Sequence, residues 1–172
     1  MLKSVVEAYP DEDIRVLVVW MPMLESDNEE AAVKRSAMFK DPRVAQFWDP
    51  NRLAGIAYHR DVFPTAIKDA FAAATTDHPL YETLKSRADA KPEDQPFWDV
   101  AFLYKPGATW QGSPTKPDAW TKQVAYFGKQ EDGASAYFFR NDYTKPPVTS
   151  DWVEELSLLM KSLMGRDPAA RP

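Results

Sequence analysis

There is no cysteine among the 172 residues. That excludes disulfides, thiolate catalysis and cysteine-held zinc or iron–sulfur clusters. Histidine is nearly missing: His59 and His78 are the two present, too few for a histidine-rich catalytic metal site. The six glycines are scattered. No Gly-rich phosphate cradle and no Gly-x-Ser-x-Gly nucleophile turn occurs. No apolar run approaches the roughly 20 residues of a spanning helix. The start, Met1 to Asp13, is polar and acidic and lacks the apolar centre of a signal peptide. These absences lead to the expectation of a soluble protein, with the cytoplasm favoured but the compartment not fixed, since cytosolic and exported proteins alike can lack cysteine. The net charge of −5 gives phosphate and anionic headgroups nothing to gain, so neither nucleic acid nor membrane is expected as a partner.

What is present suffices for a core. Hydrophobic residues make up 44% and aromatics 13%. The length favours a single domain over 1–172, with a disordered tail from about 166. Ile14 to Trp20 is a β-branched apolar run, the pattern of a strand buried on both faces. Pro22 stops it. Ser26, Asp27 and Asn28 offer an N-cap, followed by Glu29 and Glu30, for a helix reaching Phe39. Val44 to Trp48 reads as a second strand, turned by Asp49-Pro50-Asn51 into a helix carrying Leu53, Ile56 and Ala57. Phe63 to about Ala90 reads as helix in two pieces, separated at Asp77-His78-Pro79. Lys91 to Pro96 reads as a polar linker. Trp98 to Tyr104 is a third strand, and Lys105-Pro106-Gly107 a turn. Ala108 to Pro117 reads as loop, and Pro117-Asp118 as the start of a short helix through Trp120 and Val124. Glu131-Asp132-Gly133 is a turn signal, and Ala134 to Arg140 a strand. Thr149-Ser150-Asp151 caps a last helix with Trp152, Val153, Leu156, Leu159, Met160 and Leu163 at helical spacing, ended by Gly165 and Pro168.

Three segments resemble the thioredoxin family. Val16-Leu17-Val18-Val19-Trp20 is similar to the strand that ends in Trp before the redox loop. Val44 to Asn51, with Ala54 to Tyr58 behind it, is similar to the second strand, its acidic turn and the next helix. Val100 to Gly107 is similar to the third strand and its Lys-x-Gly turn. The resemblance implies an α/β, thioredoxin-like three-layer sandwich. A mixed central sheet would carry helices on both faces, with Phe63–Gln95 and Ala108–Gly133 as insertions. The family's cysteines would fall at Met21 and Leu24, and its cis-proline at Asp99. Thiol–disulfide exchange needs a low-pKa thiolate and a resolving thiol. Neither exists, so oxidoreductase activity is rejected.

The resemblance then implies a redox-inactive binding domain, taking a peptide, protein or small ligand at the former active-site edge. The candidate ligand-binding residues are Trp20, Met21, Pro22, Met23, Trp48, Asp49, Trp98 and Asp99. Ligands in open α/β sheets gather beyond the carboxyl ends of strands. The competing reading is that the tryptophans pack and the aspartates cap turns. Enzyme activity is not expected and no cofactor is called for. Two alternatives stay open. Met21 and Met23 are soft thioether ligands that, with His59, suit Cu(I), or else simply fill space. Asp49 and Asp99 form the alternative carboxylate site of a non-thiol enzyme. The acidic group Glu25, Asp27, Glu29 and Glu30 serves a helix start better than a hard cation. His59 and Asp61 stand at i and i+2 and do not face each other on a helix, so His59 reads as a surface histidine. Trp110, Trp120, Tyr126 and Phe127 make either a partner surface or a loop pinned to the body.

Overall fold

The computed structural model describes residues 6–78, 80–126, 136–145 and 148–164. The turn expected at Glu131-Asp132-Gly133, the strand start at Ala134, Phe127, Pro79, the stop signals Gly165 and Pro168 and the tail lie outside the described residues.

The architecture is mixed α/β. Strands β1 (Val16–Trp20) and β2 (Val44–Trp48) pair in parallel, with Val16 opposite Val44 and Trp20 opposite Trp48. Helix α1 (Glu29–Ser36) makes the crossover. Its N-cap is Asn28, whose side chain accepts from Ala31 N at 2.9 Å, and Glu29 and Glu30 complement the helix dipole. Gln46 Nε2 donates to the carbonyls of Ser36 and Phe39, fastening the end of α1 to β2.

The expectation that β1 is buried on both faces is corrected. Leu17, Val19 and Phe47 are exposed, while Val16, Val18 and Trp20 are half-buried. One helix can cover one face of a two-stranded sheet, and nothing among the described residues covers the other.

The second sheet is antiparallel, in the order β3 (Val100–Leu103), β4 (Ala119–Tyr126), β5 (Ala136–Arg140) and β6 (Val148–Ser150). The six described strands therefore lie in two sheets with no ladder joining them, where one mixed sheet was expected. The short helix expected from Pro117-Asp118 is strand instead. Here β4 sits between β3 and β5, and two ladders satisfy its backbone where a local helix would satisfy only itself. Asp118, expected to open that helix, accepts from Lys105 N at 2.8 Å and closes the β3–β4 connection.

Both faces of this sheet are covered. On one lies α5 (Trp152–Leu163), capped by Asp151 as its sequence predicts. Leu103, Ala119 and Leu159 form the contact. Glu155, fully buried on α5, receives the guanidinium fork of Arg140 and the Thr121 hydroxyl. The other face holds α2 (Leu53–Ala57), a π-helical turn (Tyr58–Val62), α3 (Ala66–Ala73) and α4 (Tyr81–Arg87). Tyr58, Phe63, Ile67, Leu84 and Phe97 pack there against Trp120 and Phe139. The two helical pieces expected between Phe63 and Ala90 are α3 and α4.

Candidate functional site

Side chains on a strand alternate between faces. On β4, Ala119, Thr121 and Gln123 point to α5, where Gln123 Oε1 accepts from Trp152 Nε1 at 2.9 Å. Trp120, Lys122 and Val124 therefore point to the layer of α2 to α4. A lysine thus enters an apolar layer between a tryptophan and a valine. It is buried there, beside a cavity of about 200 Å³.

The apolar wall of the cavity includes Ile67, Leu84, Phe97 and Val124. Its polar groups include His59, Arg87, Gln95, Asp99 and Lys122. Lys122 Nζ donates to the carbonyl of Trp98 at 2.7 Å and lies 5.4 Å from the centre of the Phe97 ring. Burial pushes its ammonium down to about 8, Asp99 opposes that fall, and Arg87 adds to it. Asp99 moves the other way: desolvation raises its carboxyl, Lys122 lowers it and Asp27 raises it further. The residue as a whole keeps solvent contact, which limits the rise that crowding of its carboxyl produces.

The wall is placed by a close approach. Phe97 N donates to Gly55 O at 3.1 Å, and a Cβ at Gly55 would stand 2.4 Å from Phe97 O. Only a glycine in α2 admits segment 96–97 at this distance. Lys91 to Pro96, expected as a linker, is thus part of the cavity wall at its end, and Pro96 is fully buried. Asp99 then takes a positive φ of 49° as the chain turns into β3, and its carbonyl accepts from Gln123 N at 2.8 Å. That conformation costs a non-glycine residue about 1 kcal/mol or more.

His59 is buried, which corrects its reading as a surface histidine. It lies in the π-helical turn, and Nδ1 is 2.8 Å from the Gln95 carbonyl. A carbonyl only accepts, so Nδ1 carries the proton, and in the neutral ring Nε2 is the acceptor. The amide Oε1 of Gln95 is buried without a hydrogen-bond partner. Asp61, the partner considered for His59, pairs with Arg60 instead.

Of the residues singled out from the sequence, His59, Trp98 and Asp99 line the cavity; Trp20, Met21, Pro22, Met23, Trp48 and Asp49 are not among its lining residues. Trp20 Nε1 donates to Gln46 Oε1 at 3.1 Å. The amides of Met23 and Leu24 donate to Asp27 Oδ2, which folds that loop on itself. Asp27 acts electrostatically on Asp99, so these two carboxyls lie within range of one another. The Asp49 carboxylate accepts from Ala54 N at 2.8 Å, opening α2 rather than facing Asp99. Among the described residues no group of three His, Asp or Glu side chains is placed to hold a metal ion, and no helix is long and apolar enough to cross a membrane.

In the aromatic loop, Trp110 is exposed yet sets its edge against Tyr58 at 5.4 Å, and Trp120 is in the core. Tyr104 OH donates to Thr115 O at 2.9 Å, and Tyr58 OH therefore donates to Tyr104 OH at 2.6 Å. The loop is pinned to the body at these points.

Sequence reasoning missed Lys122, Arg87 and Gln95. The signal for Lys122 was present in Trp120-Thr121-Lys122-Gln123-Val124, where every second residue is apolar except the lysine. Comparison with protein-family models, with curated proteins and with solved structures gives no match to this chain.

Proposed function

We propose that the protein is a non-redox, thioredoxin-like binding domain whose ligand is a small organic carboxylate held in the Lys122 cavity. The parallel β1–β2 pair with its crossover helix, and an antiparallel β3–β4 pair closed by a final helix, support the thioredoxin-like part of this reading. The separation of the two sheets argues against a single central sheet.

One observation carries the ligand class: a lysine buried in a cavity that Arg87 also lines. Lys122 and Arg87 repel one another at a cavity whose lining holds one carboxyl, Asp99, and an anion entering between the two cations relieves that repulsion. The apolar wall suits a short hydrocarbon body. The volume lies below the ~300 Å³ at which drug-sized pockets begin, so the occupant is small. Gln95 Oε1 supplies a vacant acceptor for a hydroxyl or amide N–H on it.

Amide chemical shifts recorded while benzoate is added test this. Binding tighter than about 1 mM is expected, with shifts at Trp98, Asp99 and Val124 that vanish in Lys122→Met. Shifts confined to Met21–Leu24 would move the site to the strand-end loop. No response at all would overturn the reading.

A further inference from the structure

The cavity does more than place a positive charge. Among the described residues, no carboxylate forms an ion pair with Lys122, and the hydrogen bond to Trp98 O uses one of three possible ammonium donors. A buried ammonium so poorly partnered is better satisfied as a neutral amine, whose lone pair is a nucleophile. The neighbours match the needs of that nucleophile. Arg87, exposed and lining the cavity, stands at its rim, where a carboxylate would enter. Asp99 is electrostatically coupled to Lys122 and held in a strained backbone conformation, as residues at reactive sites often are.

We propose that Lys122 attacks the carbonyl carbon of a small 2-oxo acid in this cavity and forms an imine with it. The proposal rests on the carboxylate-binding reading above and names a reactive substrate class for the same site. Arg87 holds the substrate carboxylate. The Nζ lone pair forms the C–N bond, and the carbonyl π pair moves to oxygen, which takes a proton from solvent. The nitrogen gives one proton to the Asp99 carboxylate. That proton then leaves with the carbinolamine hydroxyl as water, while the nitrogen lone pair closes the C=N bond. One amine, one carbonyl and one proton from solvent give one protonated imine and one water, with no change in oxidation level. A lysine flanked by another cation and removed from water is a recurrent way to prepare such an amine. The lowered ammonium of Lys122 agrees with this.

The experiment treats the full chain with pyruvate and cyanoborohydride at pH 8, followed by intact mass and peptide mapping. A single reduced adduct on the peptide containing Lys122 is expected. Its rate should exceed that of surface lysines by at least about tenfold, because those titrate near pH 10.4 and stay protonated at pH 8. Arg87→Leu should slow the labelling by pyruvate. Label spread evenly over surface lysines would overturn the proposal, and wild-type mapping decides this even where a Lys122 variant fails to fold. Pyruvate-induced shifts at Trp98 and Asp99 without an adduct would end the covalent step and leave the binding reading standing. Neither shifts nor adduct would end both.

Discussion

Strand β1 and its partner β2 have one helix, α1, packed on them, and β1 leaves Leu17 and Val19 exposed, whereas β4 has α5 on one face and α2 to α4 on the other. In composition the two run against this. Val16 to Trp20 is wholly apolar, and Ala119 to Tyr126 carries Thr121, Lys122 and Gln123. Yet Val19 is 39% exposed and Lys122 is 9% exposed. Burial is decided by what packs against a strand, and chemistry follows burial. A lysine on the open face of β1 would be an ordinary solvated cation. On β4 the same side chain loses its water, faces Asp99 and meets a cavity.

The cover over β4 depends on Gly55, so the largest change should come from Gly55→Ala. The added methyl meets backbone that cannot give way, and segment 96–97 must move off α2. A loss of about 2 kcal/mol is expected in urea denaturation, together with loss of benzoate binding. Unchanged stability and binding would show that the wall adapts and that the contrast between strands does not rest on it.

Burial of Lys122 should also show in the pH dependence of stability. The unfolded lysine titrates near 10.5 and the folded one near 8. Between these values the unfolded chain binds more protons, so stability rises with pH; below about pH 8 the full penalty of the buried charge is present. Tyr58 and Tyr143, whose hydroxyls burial pushes up, act in the opposite sense as pH passes their ordinary value of 10.0. A rise of about 1 to 2 kcal/mol is therefore expected from pH 8 to about 9.5, absent in Lys122→Met. A flat profile in the wild type would place the ammonium in water.

The smallest effect belongs to β1. Val19→Lys on its open face should change stability by no more than about 0.5 kcal/mol. A drop of several kcal/mol, read from the same denaturation curves, would mean that this face is covered after all, and the two strands would then differ less than their described surroundings indicate.

The extent to which the sequence disclosed this molecule follows the range of the interactions involved. Val44–Trp48, the Asn28 and Asp151 caps and the two helices after Phe63 were legible, because each depends on neighbours within a few residues. The β4 strand was not, because Pro117-Asp118 is a sound local helix start and only the ladders to β3 and β5 outweigh it. His59 was misplaced for a similar reason: it was read from its immediate neighbours, and the Gln95 and Phe97 that bury it come from a distant segment of the chain. At the site, Trp98 and Asp99 were found through their position before β3. Arg87, Gln95 and Lys122 come from three separate elements, and no spacing in the chain links them.

By itself the sequence determined the absence of thiol chemistry, since no fold can supply a sulfur nucleophile that the chain lacks, and it determined the local starts and stops of most elements. The tertiary structure alone decided which polar side chain is buried beside the cavity. Gly55 lets Phe97 approach, the approach seals the layer over β4, and the sealed layer strips water from Lys122. Desolvation is a property of surroundings, and the residues that create it here are drawn from across the chain.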